Sequence, residues 1–176
     1  MSARKSMWVL FGILVISVWV LGYVAQVGAE TLKCRTSGNI VKMESIPIPD
    51  VEGHRISLGL RDGLAIFENG EVASYKAFST SDAIAGKGGR AQVYALFVFV
   101  DGSTIITSCQ QVNEPDPEGK FAQNSKITGG ILKGTGRFEG IKGSLSGEGK
   151  QLKPEKGELT GKSTFSYIFT YTLPQK

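Results

Sequence analysis

The sequence predicts an all-β domain, an eight-stranded antiparallel up-and-down β-barrel, and three observations support this. Short runs rich in Val, Ile, Phe, Tyr and Thr recur along the chain between turn residues. Two of the turns, Asn69-Gly70 and Asp101-Gly102, are dipeptides typical of two-residue β-hairpins. No window beyond the first 29 residues has a convincing helical period. Because closure removes exposed strand edges, hairpin-connected strands favour a barrel over an open sheet, and a β-sandwich is the alternative.

The predicted strands follow one another at short intervals. They span residues 54–60, 64–68, 71–79, 91–100, 103–109, 122–132, 138–152 and 158–172. We expect residues 30–52 to form an irregular N-terminal arm, because the alternating prolines of Ile46–Asp50 resist both a helix and a central strand. The predicted division is therefore a targeting segment at 1–29, the arm at 30–52 and the barrel at 53–176.

The first 29 residues have the composition of a targeting segment. Arg4 and Lys5 precede an uncharged apolar run over residues 7–24, and the small residues Gly28 and Ala29 suit a signal-peptide cleavage site. The run also reaches the lower limit for a membrane-spanning helix, so a cleaved signal peptide and an uncleaved membrane anchor both stay open. Either one exports the rest of the chain, to the periplasm, the medium or the outer face of the membrane. Membrane contact is expected only through residues 7–24, if they are not removed.

Charge and cysteine content limit the partners. The net charge is +4, and two of the positive charges belong to the targeting segment. The other basic residues are scattered among acidic ones, which argues against nucleic acid as a partner. Cys34 and Cys109 both lie in the exported part, where an isolated pair is a natural disulfide. Two unrelated buried thiols are the alternative.

Alternation along two strands predicts the inner and outer surfaces of the barrel. In the last strand, an aromatic face lies opposite a face of Thr and Ser. We expect the aromatic face to line the interior, which in a barrel of eight strands is filled by side chains or holds one small ligand. Its members are Phe165, Tyr167, Phe169 and Tyr171. The strand at 91–100 is apolar on both faces, so its outer face is expected to meet a partner subunit or the arm.

Glycine is concentrated between residues 129 and 149. A phosphate-binding loop would lead into a helix, and this stretch is a poor helix former. Apolar residues recur among the glycines at Phe138, Ile141 and Leu145, which argues against a flexible linker. We therefore interpret the glycines as sites of bending and close backbone approach in a small barrel.

The same stretch carries a resemblance to a known family. "GILKGTGRFEGIKGSLSGEG", with the preceding hairpin "FVDGSTIITS", resembles the allene oxide cyclase/dirigent-like barrel superfamily, here as a bacterial-type member. The similarity covers residues 53–172. It implies an eight-stranded antiparallel barrel with a hydrophobic cavity, often trimeric in plant members, which steer reactive intermediates through cyclisation or coupling by confining them. The family's catalytic positions have no residue-by-residue match here, so no catalytic residue is assigned.

Few other residues suggest chemistry. His54 is the one histidine and has no companions for a metal site, so we interpret it as a structural residue at the barrel rim. Glu68 and Glu71 should face each other across a hairpin, where hydrated carboxylates are the simpler interpretation. No metal site and no cofactor are predicted.

The sequence favours an exported cell-envelope barrel that binds a small hydrophobic ligand or a protein partner. An isomerase or cyclase of the allene oxide cyclase/dirigent type, confining a reactive intermediate, is one alternative. A purely structural oligomer is another. Homo-oligomerisation is expected from the doubly apolar strand at 91–100, with coverage of its outer face by the N-terminal arm as the alternative.

Overall fold

The eight strands follow one another around a closed barrel, in sequence order and all antiparallel. The computed structural model describes residues 28–175, so the predicted signal peptide or anchor lies almost wholly outside the described residues. The strands are β1 (Glu30–Pro47), β2 (His54–Phe67), β3 (Val72–Ile84), β4 (Gly88–Phe99), β5 (Thr104–Glu114), β6 (Gln123–Thr135), β7 (Lys142–Gln151) and β8 (Ser163–Thr172), with a 3-10 turn at Gly136–Phe138. Strand β8 pairs with β1 and closes the ring, so the barrel is confirmed and the sandwich is not.

The prediction of an irregular arm before the barrel was wrong. Glu30–Pro47 is strand β1, paired with β8 along its first half and with β2 from Cys34 to Pro47. Beyond Gly38 it has no β8 partner, so its end runs as a sheet edge. Pro47, which has no N–H to give, lies on that edge, where proline is tolerated. The prolines therefore mark where a strand ends.

The predicted break between residues 60 and 64 was also wrong. Arg61-Asp62-Gly63 continues β2 in register with both neighbours, and Gly63 pairs with Gly38 of β1. A Cβ on Gly63 would lie 2.1 Å from the carbonyl oxygen of Ser37, so glycine is needed there for backbone contact. The predicted count of eight strands was correct because this extra break offset the missed β1.

The interpretation of the glycine-rich stretch is confirmed. Gly136 has φ +63°, as the turn after β6 requires. In β7 the glycines lie beneath the aromatic rings of β8, and a Cβ on Gly149 would lie 2.1 Å from Cδ1 of Phe165. These glycines leave the space that large inward-facing rings need in a narrow barrel.

The predicted disulfide is absent. Cys34 and Cys109 are both free and buried. They lie on β1 and β5, four strands apart in either direction around the barrel, with the aromatic interior between them. A disulfide needs α-carbons within about 7 Å, which strands on opposite walls do not offer. Burial raises the pKa of Cys34 to about 12 and that of Cys109 to about 11, so both stay protonated thiols at neutral pH.

One end of the barrel, which we call the sealed end, is closed by aromatic side chains. It carries the turns at 68–71 and 100–103 and the segment 136–141. The ring of Phe99 lies 4.9 Å from that of Phe67 and 5.0 Å from that of Phe138. Phe138 and Ile141 are themselves buried, so the segment after β6 covers this end.

Candidate functional site in the barrel lumen

The aromatic face of β8 points into the barrel, as predicted. Phe165, Tyr167, Phe169 and Tyr171 are buried, while Ser166, Ile168 and Thr170 between them are exposed. Phe169 is 0% exposed, and its ring meets that of Phe97 edge-on at 5.5 Å. A side chain without accessible surface has no water-sized void beside it. Around Phe169 the interior is therefore a packed core.

The opposite end of the lumen, which we call the open end, is lined by small and polar side chains. It lies between the loops at 48–53, 85–87, 115–122 and 152–162. Ser79 and Ser81 face inward from β3 and are partly exposed, so solvent enters the barrel here. Across the lumen, the Gln111 amide donates to Asn113 Oδ1 at 2.7 Å and to Ser125 Oγ at 3.3 Å. The lumen thus changes from apolar to polar along the barrel axis.

Arg61 lies where the two halves meet. It shares the inward parity of Ser57, Ala65 and Phe67 on β2, is half-buried, and its guanidinium carbon lies 4.8 Å from the centroid of the Phe165 ring. Its Nε is buried and has no hydrogen-bond partner among the described residues. From the sequence, Arg61-Asp62-Gly63 is expected to form a turn, so an inward-facing Arg61 was not predicted. The uninterrupted alternation from residue 57 to 67 was the signal that could have placed it inside.

Two tyrosine hydroxyls lie close to this arginine. Tyr75 and Tyr167 are buried and share a hydrogen bond of 3.2 Å between their oxygens. Burial raises the pKa of both hydroxyls, and the positive charge of Arg61 offsets part of that rise. Both hydroxyls are therefore neutral at physiological pH, and because one donates to the other, one hydroxyl hydrogen remains for a further acceptor.

Thr36 adds another unpartnered group. It lies on β1 directly opposite Phe165 and is 1% exposed, yet its Oγ1 has no hydrogen-bond partner among residues 28–175. An unsatisfied buried polar group costs about 1–3 kcal/mol. Two such groups, on Thr36 and Arg61, border the same aromatic ring, which is where a ligand with polar atoms would satisfy them.

His54 lies at the rim, in agreement with the structural interpretation. Its Nδ1 lies 2.6 Å from Asp50 Oδ1 and its Nε2 lies 2.7 Å from Asp82 Oδ1. The hydrogen bonds that His54 makes to the carboxylates of Asp50 and Asp82 raise its pKa. The carboxylates contact opposite sides of the ring, and no cluster of metal-ligating side chains occurs within the described part of the chain.

Glu71, considered above as a partner of Glu68, instead belongs to a clamp at the sealed end. Arg137 Nη1 lies 2.6 Å from Glu71 Oε1 and 3.4 Å from Asp101 Oδ2, and its guanidinium lies over the ring of Phe99 at 4.7 Å. The clamp could not be predicted from the sequence because its members come from three separate turns.

The outer wall carries an apolar row and a separate groove. Leu60, Phe78 and Tyr94 are direct neighbours across β2, β3 and β4, and Phe78 and Tyr94 are about half exposed. A groove of about 830 Å³ runs along β1 and β2, lined by charges of both signs and by exposed Leu64 and Ile66. The groove is open to solvent and has the mixed lining of an ordinary protein surface, so we place the candidate site in the lumen. No helix in residues 28–175 is long and apolar enough to cross a bilayer.

Comparisons with known proteins concern the fold. No family model matches the chain, and no curated protein matches it. Among solved structures it is similar to the pterocarpan synthase dirigent protein PsPTS1, with 16% identity, a TM-score of 0.49 and coverage of 85% of this chain and 97% of that one. It is also similar to the pterocarpan synthase dirigent protein GePTS1, with 13% identity, a TM-score of 0.45 and coverage of 84% and 92%.

Both of these solved structures are of dirigent proteins. A structural similarity of this degree supports no conclusion about the ligand of this chain. The bacterial-type assignment stays a prediction.

Proposed function

We propose that the barrel binds a small molecule in its lumen, which enters through the open end and is held beside Phe165. Phe165 and Thr36 are 2% and 1% exposed, so the ligand takes its place by displacing side chains that pack there in the free barrel. The observation that carries this proposal is the pair of unpartnered buried groups, Arg61 Nε and Thr36 Oγ1, at the inner limit of the accessible half. A ligand with a flat apolar part and a polar end fits both the ring and these groups. A few directed hydrogen bonds in a mostly apolar pocket fix the orientation of a ligand.

An isomerase or cyclase is the second candidate. Arg61 lies near the hydrogen-bonded hydroxyls of Tyr75 and Tyr167, so a cation and one free hydroxyl donor come together. Such donors stabilise an oxygen that gains negative charge during a rearrangement. This candidate requires turnover of a bound compound, while the binding proposal requires retention alone.

The binding proposal is tested by narrowing the open end. Ser81 faces inward near this end and Thr80, its neighbour, faces outward. We expect Ser81→Phe to weaken binding of the neutral fluorescent probe N-phenylnaphthylamine at least tenfold, while Thr80→Phe leaves it unchanged. Unfolding of both variants in urea gives the stability control. Equal binding by both variants would contradict a lumenal site and favour the purely structural alternative.

We also propose that copies of the chain associate through the apolar row of Leu60, Phe78 and Tyr94 on the outer wall. Exposed apolar side chains that are neighbours on three strands form a contiguous patch of the kind found at protein interfaces. Sedimentation velocity at micromolar concentration should show an oligomer that Phe78→Glu dissociates and Thr80→Glu does not. A wild-type monomer would contradict this proposal.

Export stays a proposal that rests on Arg4, Lys5 and the apolar run at 7–24. An alkaline phosphatase fusion after residue 60 should be active in a bacterial host, and a matched fusion lacking residues 1–29 should be inactive. Equal activity of the two fusions would contradict export.

A further inference from the structure

We propose that the lumenal ligand is a carboxylate with a flat apolar part, and that Arg61 is its counter-ion. This inference rests on the proposed lumenal binding and adds the chemical class of the ligand. It starts from the charge of Arg61, since a guanidinium stays protonated in proteins at all ordinary pH values.

The charge of Arg61 is not balanced inside the barrel. The ion pairs among residues 28–175 lie on the outer wall and at the rims, and none includes Arg61. In the strand registers, the inward-facing positions of the described strands between the rims hold no Asp or Glu. A half-buried cation without an anion is costly, and the Phe165 ring compensates only part of that cost.

The guanidinium also has the geometry for a carboxylate. Its planar array of N–H donors matches two carboxylate oxygens, which a lysine ammonium does not. The unpartnered Nε leaves one edge of that array free within the described structure. The Thr36 hydroxyl, opposite the same Phe165 ring, is a further neutral donor for the ligand. One fixed positive charge with neutral donors suits a monoanion.

The entrance is compatible with an anion. Arg55 lies on the inward parity of β2 at the rim of the open end, and it has no carboxylate within ion-pair distance among the described residues. The nearby carboxylates of Asp50 and Asp82 are hydrogen-bonded to His54. A cation at the mouth and another at the inner limit draw an anion inward.

The test compares 3-phenylpropanoate with its neutral amide, 3-phenylpropanamide, by isothermal titration of the purified full chain. We expect the acid to bind about tenfold more tightly or better, because a charge-assisted hydrogen bond exceeds a neutral one by this order. Arg61→Gln should abolish the preference for the acid, and Arg61→Lys should retain part of it. Lys76→Gln, an outward-facing change on β3, is the matched control and should leave the preference intact.

A second measurement needs no variant. Binding of the acid to the wild type should weaken as salt is raised, while binding of N-phenylnaphthylamine should not. An acid preference that survives Arg61→Gln, or equal binding of acid and amide to the wild type, overturns the inference. If Ser81→Phe still excludes the neutral probe in that case, the proposed function stands without the carboxylate. If Ser81→Phe has no effect, both fall.

Discussion

Truncation of Phe169 tests the orientation of the barrel wall on which the candidate site depends. Phe169 is 0% exposed, and its ring packs edge-on against Phe97. Removing about 100 Å² of buried ring surface costs about 2.5 kcal/mol at about 25 cal/mol per Å². A residual void of about 60 Å³ would add about 1.5 kcal/mol. We therefore expect Phe169→Ala to lower the free energy of unfolding by about 4 kcal/mol.

The matched control is the next residue along β8. Thr170 faces outward and is exposed, so Thr170→Ala should change the free energy of unfolding by less than about 0.5 kcal/mol. Urea unfolding followed by tyrosine fluorescence gives both values, and an unchanged m-value shows that both variants unfold from the same compact state. A larger loss for Thr170→Ala would mean that the strand faces are reversed. A loss below about 1 kcal/mol for Phe169→Ala would mean that its surroundings are not packed.

Three further predictions concern the rim, the clamp and the thiols. Because the pKa of His54 is raised, its contribution to stability should be complete below the usual pKa of 6.5 and be lost as pH rises through the raised pKa. In urea unfolding at several pH values, His54→Ala should remove this dependence, and an unchanged pH profile would contradict the prediction. Arg137 lowers the pKa of Glu71, so the free energy of unfolding should fall as pH falls below 4.5. A double-mutant cycle of Glu71→Gln and Arg137→Ala should give a coupling energy of about 0.5–1 kcal/mol, and zero coupling would mean that the clamp has no stabilising role. Cys34 and Cys109 should react with a thiol reagent only in denaturant, and fast labelling of the native protein would show that the interior opens.

The fold could be predicted from the sequence because its turns and alternation are strong local signals. Asn69-Gly70 and Asp101-Gly102 each lie in a hairpin as predicted, although the loops have three residues, 68–70 and 100–102, and not the predicted two. The alternation in β8 gave its buried aromatic face. The first strand could not be predicted from propensity. Its inward positions include Cys34, Thr36 and Gly38, which are weak strand signals, and it becomes a strand because β2 and β8 pair with it on both sides. This is tertiary context overriding a weak local signal.

The candidate site was predicted only in part. The aromatic rings were expected inside, but the polar half of the lumen was not, because isolated serines and glutamines on many strands give no motif. An inward-facing Arg61 was not predicted, because the tripeptide Arg-Asp-Gly is typical of a turn. Only the register with Gly38 and Ala77 shows that this tripeptide continues a strand, which places the guanidinium over Phe165.

The most direct test of a lumenal carboxylate site observes the unpartnered nitrogen itself. In nitrogen-edited NMR, the Arg61 Nε–H signal should shift and exchange more slowly with water as 3-phenylpropanoate is added, because the ligand supplies the acceptor that the protein lacks. The Nε–H of Arg90, which faces outward on β4, should not respond. Equal responses of the two arginines, or no response of Arg61 at saturating acid, would contradict the account.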